Sequence, residues 1–426
     1  MPGTCRLRGS RQTLVSRFMR RLLLLPLLTV WLGLVSCQSP QRSAGDGPLI
    51  VISLDGFRWD YLDKHPAPTL RRLAAAGVHA RRLTPSYPAR TFPNHYTLVT
   101  GLRPEHHGIV NNQFHDPALG ADFGKTSTAP AWWNGGEPVW VTAESQGRRA
   151  ATYMWPGGEA EIRGRRPSEH IPFSKTPTES ERVDAVLAWL ARPVTERPRL
   201  CLLYFDAVDI MGHNHGPEAP ETAAAVQQVD AALARLLTGL EKLGLGDTTN
   251  LVVVSDHGLA ETSPERVVFF DDLLDLSLVT VEANGPHGGV RPKPGVNAAA
   301  LVAAIRAKAP PQVQVYLREE LPARLHYRAS ERIPPILFVL QPGWCIEART
   351  GWAMFKAFYN RGNHGWDPAT PKMGALFIAH GPAFRRQVTL ANAENVDVYN
   401  LLCAVLGLTP AANDGGDTLA RAALRR

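Results

Sequence analysis

The chain has 426 residues, 44% hydrophobic and 20% charged, a globular composition that suits one large domain with an insertion or two domains. Its formal net charge is +7, yet Arg6, Arg8, Arg11, Arg17, Arg20 and Arg21 sit in the first 36 residues, which carry no acidic residue, and account for all but one of those charges. The rest of the chain is nearly neutral, which excludes a broad basic surface for nucleic acid.

In chain order, the arginines precede an apolar run, residues 22–35, too short to span a bilayer comfortably as a helix. The run closes in Leu34-Val35-Ser36-Cys37, which resembles the bacterial lipobox; a plain secretory signal that happens to contain a cysteine is the alternative. Residues 1–36 are therefore expected to be a lipoprotein-type signal peptide, and 37–48 a lipidated Cys37 followed by a flexible tether rich in Pro, Gly and Ser. Gln38, where an aspartate would hold a lipoprotein at the inner membrane, points to the outer membrane, facing the periplasm. Only Cys201, Cys345 and Cys403 then remain. An odd count is no disulfide scaffold, although a bridge between Cys345 and Cys403 stays open.

From residue 49 the pattern is that of an α/β domain. Unbroken apolar runs at 49–54, 200–205 and 251–255, with a fourth at 374–379, suit strands covered on both faces. Between them, helical spacing recurs at 178–190 (Val183, Val186, Leu187, Leu190), at 221–243 (Val226, Val229, Leu233, Leu236, Leu240) and at 394–406 before Gly407. The alternation predicts a mostly parallel central sheet with helices on both faces. Residues 267–343 change character, with shorter strands at 278–283, 313–317 and 336–340 around a helix at 297–308, and read as a small α+β insertion within a catalytic domain of residues 49–410. Residues 411–426 read as a C-terminal tail.

Each covered strand runs into residues that suit a metal. Asp55-Gly56 follows the first, Asp209 and His213 follow the second, and Asp256-His257-Gly258 follows the third; Asn363-His364-Gly365 precedes the fourth. Ligands of open α/β sheets lie outside the carboxyl ends of the strands, so the first three groups should share an edge, with His364 brought there by its loop. Singly, Asp-Gly is a turn signal, Asp256 suits a helix cap, and Gly212 favours a loop over a helix for Asp209-x-x-x-His213. Together, three aspartates and three histidines make six ligands, enough for two divalent ions. Carboxylate and imidazole without thiolate suit Zn²⁺ best, with Mn²⁺, Fe or Co as substitutes. Thr91 stands at a loop-to-helix junction suited to phosphate, where the bland alternative is an N-cap.

These motifs, Thr91-Phe92-Pro93-Asn94-His95, Asp209 with His213, Ser255-Asp256-His257-Gly258 and Gly362-Asn363-His364-Gly365, resemble the nucleotide pyrophosphatase/phosphodiesterase family of the alkaline phosphatase superfamily over residues 49–407. The resemblance implies an alkaline phosphatase-like fold and two zinc ions. One would be held by Asp209, His213 and His364; the other by Asp55, Asp256 and His257, with Thr91 Oγ completing it. It further implies that Asn112 donates to a phosphate oxygen and that Phe92 and Tyr204 sandwich a nucleobase. Val208 departs from the family's proline before the metal-binding aspartate. The expected activity is zinc-dependent hydrolysis of nucleotide phosphodiester or pyrophosphate bonds through a phospho-threonine intermediate. The same two-metal site could serve a phosphomonoesterase or a choline-phospholipid phosphodiesterase. A lipid-anchored protein that binds zinc or phosphate compounds without turnover would have no need of Thr91.

Overall fold

The computed structural model describes residues 47–425, so the expected signal peptide, Cys37 and most of the tether lie outside the described residues. The strands that position the site are β1 (Leu49–Leu54), β2 (Val78–Thr84), β3 (Ala150–Tyr153), β4 (Glu169–Ile171), β5 (Leu200–Phe205) and β6 (Asn250–Val254), followed by β7 (Val279–Ala283), β8 (His287–Pro292), β9 (Val313–Leu317), β10 (Ile336–Leu340), β11 (Ala375–His380) and β12 (Val388–Leu390). The helices are α1 (Pro68–Ala76), α2 (Thr91–Thr100), α3 (Glu179–Leu190), α4 (Ala207–His215), α5 (Pro220–Lys242), α6 (Ala298–Arg306), α7 (Val398–Leu406) and α8 (Thr418–Ala423). Among the described residues no helix is long and apolar enough to cross a membrane.

The central sheet runs β12-β2-β11-β6-β1-β5-β3-β4, and β6, β1, β5, β3 and β4 are mutually parallel. Every residue of β1, β5 and β6 is buried. Successive side chains point to opposite faces, so Leu49 and Val51 join one core while Ile50, Ile52 and Leu54 join another. That division is why the runs show no polar alternation. Burying each such side chain is worth about 1.5–3 kcal/mol.

The fourth predicted strand, β11, is antiparallel to β6, with Phe377 opposite Val254 and His380 opposite Leu251. Its first residues therefore lie beside the end of β6, where Ser255 N donates to Leu376 O at 3.0 Å. A residue that precedes β11 thus begins at the same edge as residues that follow the parallel strands. Helix bounds match the expected ones within a residue for α3 and α5, whereas α7 starts at Val398, four residues late, because Ala393 and Glu394 pair with β2. Thr178 caps α3 in a capping box with Glu181, Pro220 opens α5, and α7 ends at Gly407 in the left-handed region.

The insertion is a four-stranded antiparallel sheet, β7-β8-β10-β9, with α6 against it and a core that also takes in Ala89, Ala260, Trp366 and Met373 of the surrounding domain. It holds one strand, β8, that the sequence pattern did not mark. Its base is closed beyond residue 343 by Val267–Phe269 pairing with Cys345–Glu347. The expected C-terminal tail folds back instead: α8 buries Leu419, Ala420 and Ala423, because its apolar face completes the core around α7. Cys201, Cys345 and Cys403 are all buried and free.

Candidate active site

Six predicted ligands gather at one edge of the sheet. They form two sets, Asp209 with His213 and His364, and Asp55 with Asp256 and His257, and within each set the ligand atoms lie within 4.8 Å of one another. The sets share a wall, since the His257 and His364 rings stack with centroids 3.5 Å apart at 12°.

The Asp209 set corrects one expectation. Residues 207–215 are helical, so Asp209 and His213 share a face, with Asp209 Oδ2 3.4 Å from His213 Nε2. Gly212 serves close packing, not a loop: a Cβ there would meet Leu259 Cδ2 at 2.5 Å. Val208, buried in the first turn, supports the helix without the family's proline. His364 arrives through the pairing of Asn363 with Ala260, and its Nε2 lies 3.7 Å from Asp209 Oδ1.

The side chains fit a cation. Nδ1 of His213 donates to Gly362 O at 2.8 Å, that of His364 to Ala89 O at 2.8 Å, and that of His257 to Gly258 O at 3.1 Å. Carbonyls only accept, so each imidazole keeps its proton on Nδ1 and presents a bare Nε2. Asp55 Oδ1, Asp209 Oδ1 and Asp256 Oδ2 are buried without any hydrogen-bond partner. Burial, reinforced by Asp256 and Asp209, raises the Asp55 carboxyl well above its usual range, and burial with Asp209 pushes Asp256 up to about 8. Burial first, then the neighbouring imidazoles, holds His364 well below its ordinary value. Crowded carboxylates and neutral imidazoles are what a divalent cation would stabilise. Asp256 caps no helix; its Oδ1 accepts from Gly56 N at 3.2 Å.

Thr91 is the first residue of α2, not its cap, and its side chain makes no capping bond. Its Oγ1 lies 3.4 Å from His257 Nε2. Asn112 does the capping: its Oδ1 accepts from Phe92 N at 2.9 Å, which leaves its NH₂ as the free end. Thr91 and Asn112 line a cavity of about 420 Å³ together with Asp209, His213 and His364. Two residues of the Thr91 motif to which the sequence assigned no role fix Thr91. His95, one turn on, donates from Nδ1 to Thr91 O at 2.9 Å and meets Ser53 Oγ at 2.8 Å through Nε2. Asn94 holds the approach, donating to Pro88 O and Arg90 O at 3.0 and 2.9 Å.

The structure does not bear out Tyr204 as a base-stacking residue. It is 6% exposed, its ring packs on His95, and its hydroxyl donates to Asp55 Oδ2 at 2.6 Å. As the penultimate residue of an all-buried strand, it points into the ligand shell. The exposed aromatic nearby is Phe173, 50% exposed with its ring 6.4 Å from that of Tyr204. Phe92 is partly buried, edge-on to Phe123. Two further histidines, His107 and His287, are buried outside the two ligand sets.

This arrangement coincides with what comparison finds. Residues 49–367 match the family model for type I phosphodiesterase/nucleotide pyrophosphatase. The chain belongs to that family. It is 39% identical over 379 residues to an uncharacterized pyrophosphatase/phosphodiesterase of Schizosaccharomyces pombe, covering 86% of this chain and 78% of that protein. It is 39% identical to ectonucleotide pyrophosphatase/phosphodiesterase family member 1 of Mus musculus over 86% of this chain, but spans only 42% of that relative. A solved structure of murine ectonucleotide pyrophosphatase/phosphodiesterase 5, an inactive threonine-to-alanine variant in complex with AMP, superposes with a TM-score of 0.83 at 34% identity, covering 88% of this chain and 100% of that one. These family members make the alkaline phosphatase-like α/β fold, with a buried Asp/His cluster able to hold metal, the expected one.

Proposed function

We propose that the chain hydrolyses nucleotide phosphodiester or pyrophosphate bonds, releasing nucleoside monophosphates through a phospho-threonine intermediate, with two zinc ions bound by the two ligand sets. The observation that carries this reading is the Thr91 hydroxyl 3.4 Å from His257 Nε2, on the cavity that Asp209, His213 and His364 also line. When bound, the ions would lower the pKa of the hydroxyl and offset charge on the attacking and leaving oxygens.

The chain's own residues then do the following. Thr91, its proton lost to solvent, bonds to phosphorus through Oγ as the opposite P–O bond breaks, and the leaving oxygen keeps the electron pair. A water then adds at phosphorus; Thr91 recovers the Oγ electron pair and a proton, and two inversions give net retention. Asn112 donates from its free NH₂ to a non-bridging oxygen, a neutral donor suited to a diester. His95 keeps Thr91 in place through its carbonyl. The AMP complex of the murine relative supports a nucleotide substrate, and the exposed Phe173 with the partly buried Phe92 supplies apolar surface for a base. By the lipobox resemblance the enzyme would be exported and anchored through Cys37 in the cell envelope, facing the periplasm.

The test is metal analysis with a substrate panel. Purified enzyme should carry about two zinc ions per chain, lose activity on chelation and regain it with Zn²⁺. It should cleave nitrophenyl nucleotide diesters and ATP faster than p-nitrophenyl phosphate. Preference for the monoester would sink the diesterase reading.

A further inference from the structure

The residue just before Thr91, Arg90, carries a charge that no carboxylate meets at salt-bridge distance among the described residues. Two fully buried guanidiniums are ion-paired, Arg58 with Asp60 and Glu218, and Arg182 with Asp206, whereas Arg90 is half-buried. Arg90 has no such partner among the described residues. Its Nη2 donates to Asn284 O at 3.3 Å, and its Nε is buried with no hydrogen-bond partner. The nearby carboxylate just past the insertion, Glu347, attracts Arg90 electrostatically but makes no salt bridge with it, and its Oε2 accepts from Asn284 Nδ2 at 2.6 Å. Arg90 is half-buried on the cavity wall with its Nε unpartnered, so it has donors to offer an anion that enters there.

Its position is fixed by the backbone. Gly365, with φ +124°, lies against the side chain, and a Cβ there would come within 2.7 Å of Arg90 Nε. Gly365 follows the ligand His364, and Arg90 lines the same cavity as Thr91, Asp209, His213 and His364. In an in-line displacement at phosphorus, attack by Thr91 from beside Asp55, Asp256 and His257 sends the leaving group toward the Asp209, His213 and His364 side. That is the side on which Arg90 lies. Lys125 lines the cavity too, but it is exposed and its charge is screened.

We propose that Arg90 is a specificity-determining residue: its guanidinium binds the leaving group when that group is itself a phosphate, and so favours phosphoanhydrides over esters of uncharged alcohols. This inference rests on the proposed nucleotide hydrolysis at Thr91. A guanidinium offers paired N–H donors that match phosphate oxygens, and an aryl or alkyl leaving group gives them nothing to bind.

The experiment compares kcat/KM for ATP, whose leaving group is diphosphate, with kcat/KM for the p-nitrophenyl ester of TMP, in the zinc-loaded full chain. In Arg90→Gln the ratio of the two should fall roughly tenfold to a hundredfold, the range expected for a lost charged hydrogen bond. Arg90→Lys should recover part of it, and inhibition by inorganic diphosphate should weaken by a similar factor in Arg90→Gln. Unfolded or metal-poor protein lowers both rates alike and cancels in the ratio, so an unchanged ratio overturns the assignment. Wild-type enzyme that cleaves neither substrate would overturn the nucleotide reading itself, a result distinct from an unchanged ratio.

Discussion

Tyr204 Oη donates to Asp55 Oδ2 at 2.6 Å, which leaves Oδ1 of the same carboxylate facing the site without a partner. The phenol thus orients, from behind, a side chain of the cluster able to hold a metal. Tyr204→Phe keeps the ring and removes only the donor. Metal affinity should fall about 10- to 100-fold, read by zinc titration against a competing chelator, with little change in nucleotide KM at saturating zinc. A raised KM with unaltered zinc affinity would restore the tyrosine to a base-stacking role.

Thr91→Ala removes the proposed nucleophile but none of the six Asp and His ligands. Turnover should drop below a few per cent of wild type while zinc content stays nearly normal. Thr91→Ser should retain part of the activity, since the hydroxyl survives. Single-turnover assays and metal analysis on the same sample separate these outcomes. Substantial kcat in the alanine variant would remove Thr91 from the chemistry.

Arg58 ties three ligand-bearing loops together. It bonds Leu259 O beyond His257 at 3.0 Å, pairs with Glu218 beyond the Asp209 helix, and pairs with Asp60 in the loop after Asp55. Arg58→Met leaves the buried Leu259 O unmatched and removes the cation between part-exposed Asp60 and Glu218, and should cost about 1–3 kcal/mol, with weaker zinc binding, measured by denaturant unfolding and zinc titration. Glu218→Gln removes a half-exposed partner and should cost no more than about 1 kcal/mol. Equal effects from the two would show that the guanidinium is no hub.

His107 is fully buried, meeting Thr97 Oγ1 at 3.0 Å and accepting from Ile109 N at 3.1 Å. Burial pushes its pKa down to about 3. Between that value and the ordinary one, the unfolded chain binds a proton that the folded chain refuses. The stabilisation is complete above about pH 6.5 and is lost as pH falls toward the folded value, at up to about 1.4 kcal/mol per pH unit. His107→Gln should flatten the dependence of unfolding free energy on pH between 6 and 4 relative to wild type. Parallel curves for the two proteins would refute the assignment.

Much of the site was legible in the sequence because its signals are local. A strand covered on both faces must be apolar throughout, so the ends of such runs could be read directly, and Asp55, Asp256 and His257 stand at two of them. Asn363-His364-Gly365 was legible as a motif, although its route to the same edge was not. Tertiary packing decided the rest. Gly212 argued for a loop, yet contact with Leu259 made a helix of residues 207–215 and aligned Asp209 with His213. The fourth apolar run reads the same in either direction, and only its pairing with β6 reversed it and set His364 beside His257. Tyr204 matches a family aromatic by position, but the inward face of β5 turned its hydroxyl to Asp55. The open charge of Arg90 had no trace in the sequence, since whether a guanidinium is paired depends on residues nearly two hundred or more positions away, Asn284, Glu347 and Gly365. Sequence determined which side chains could bind metal and attack phosphorus, because residue chemistry and strand ends are local properties. Tertiary structure decided which way they face and which charges stay open, because those depend on contacts between distant segments.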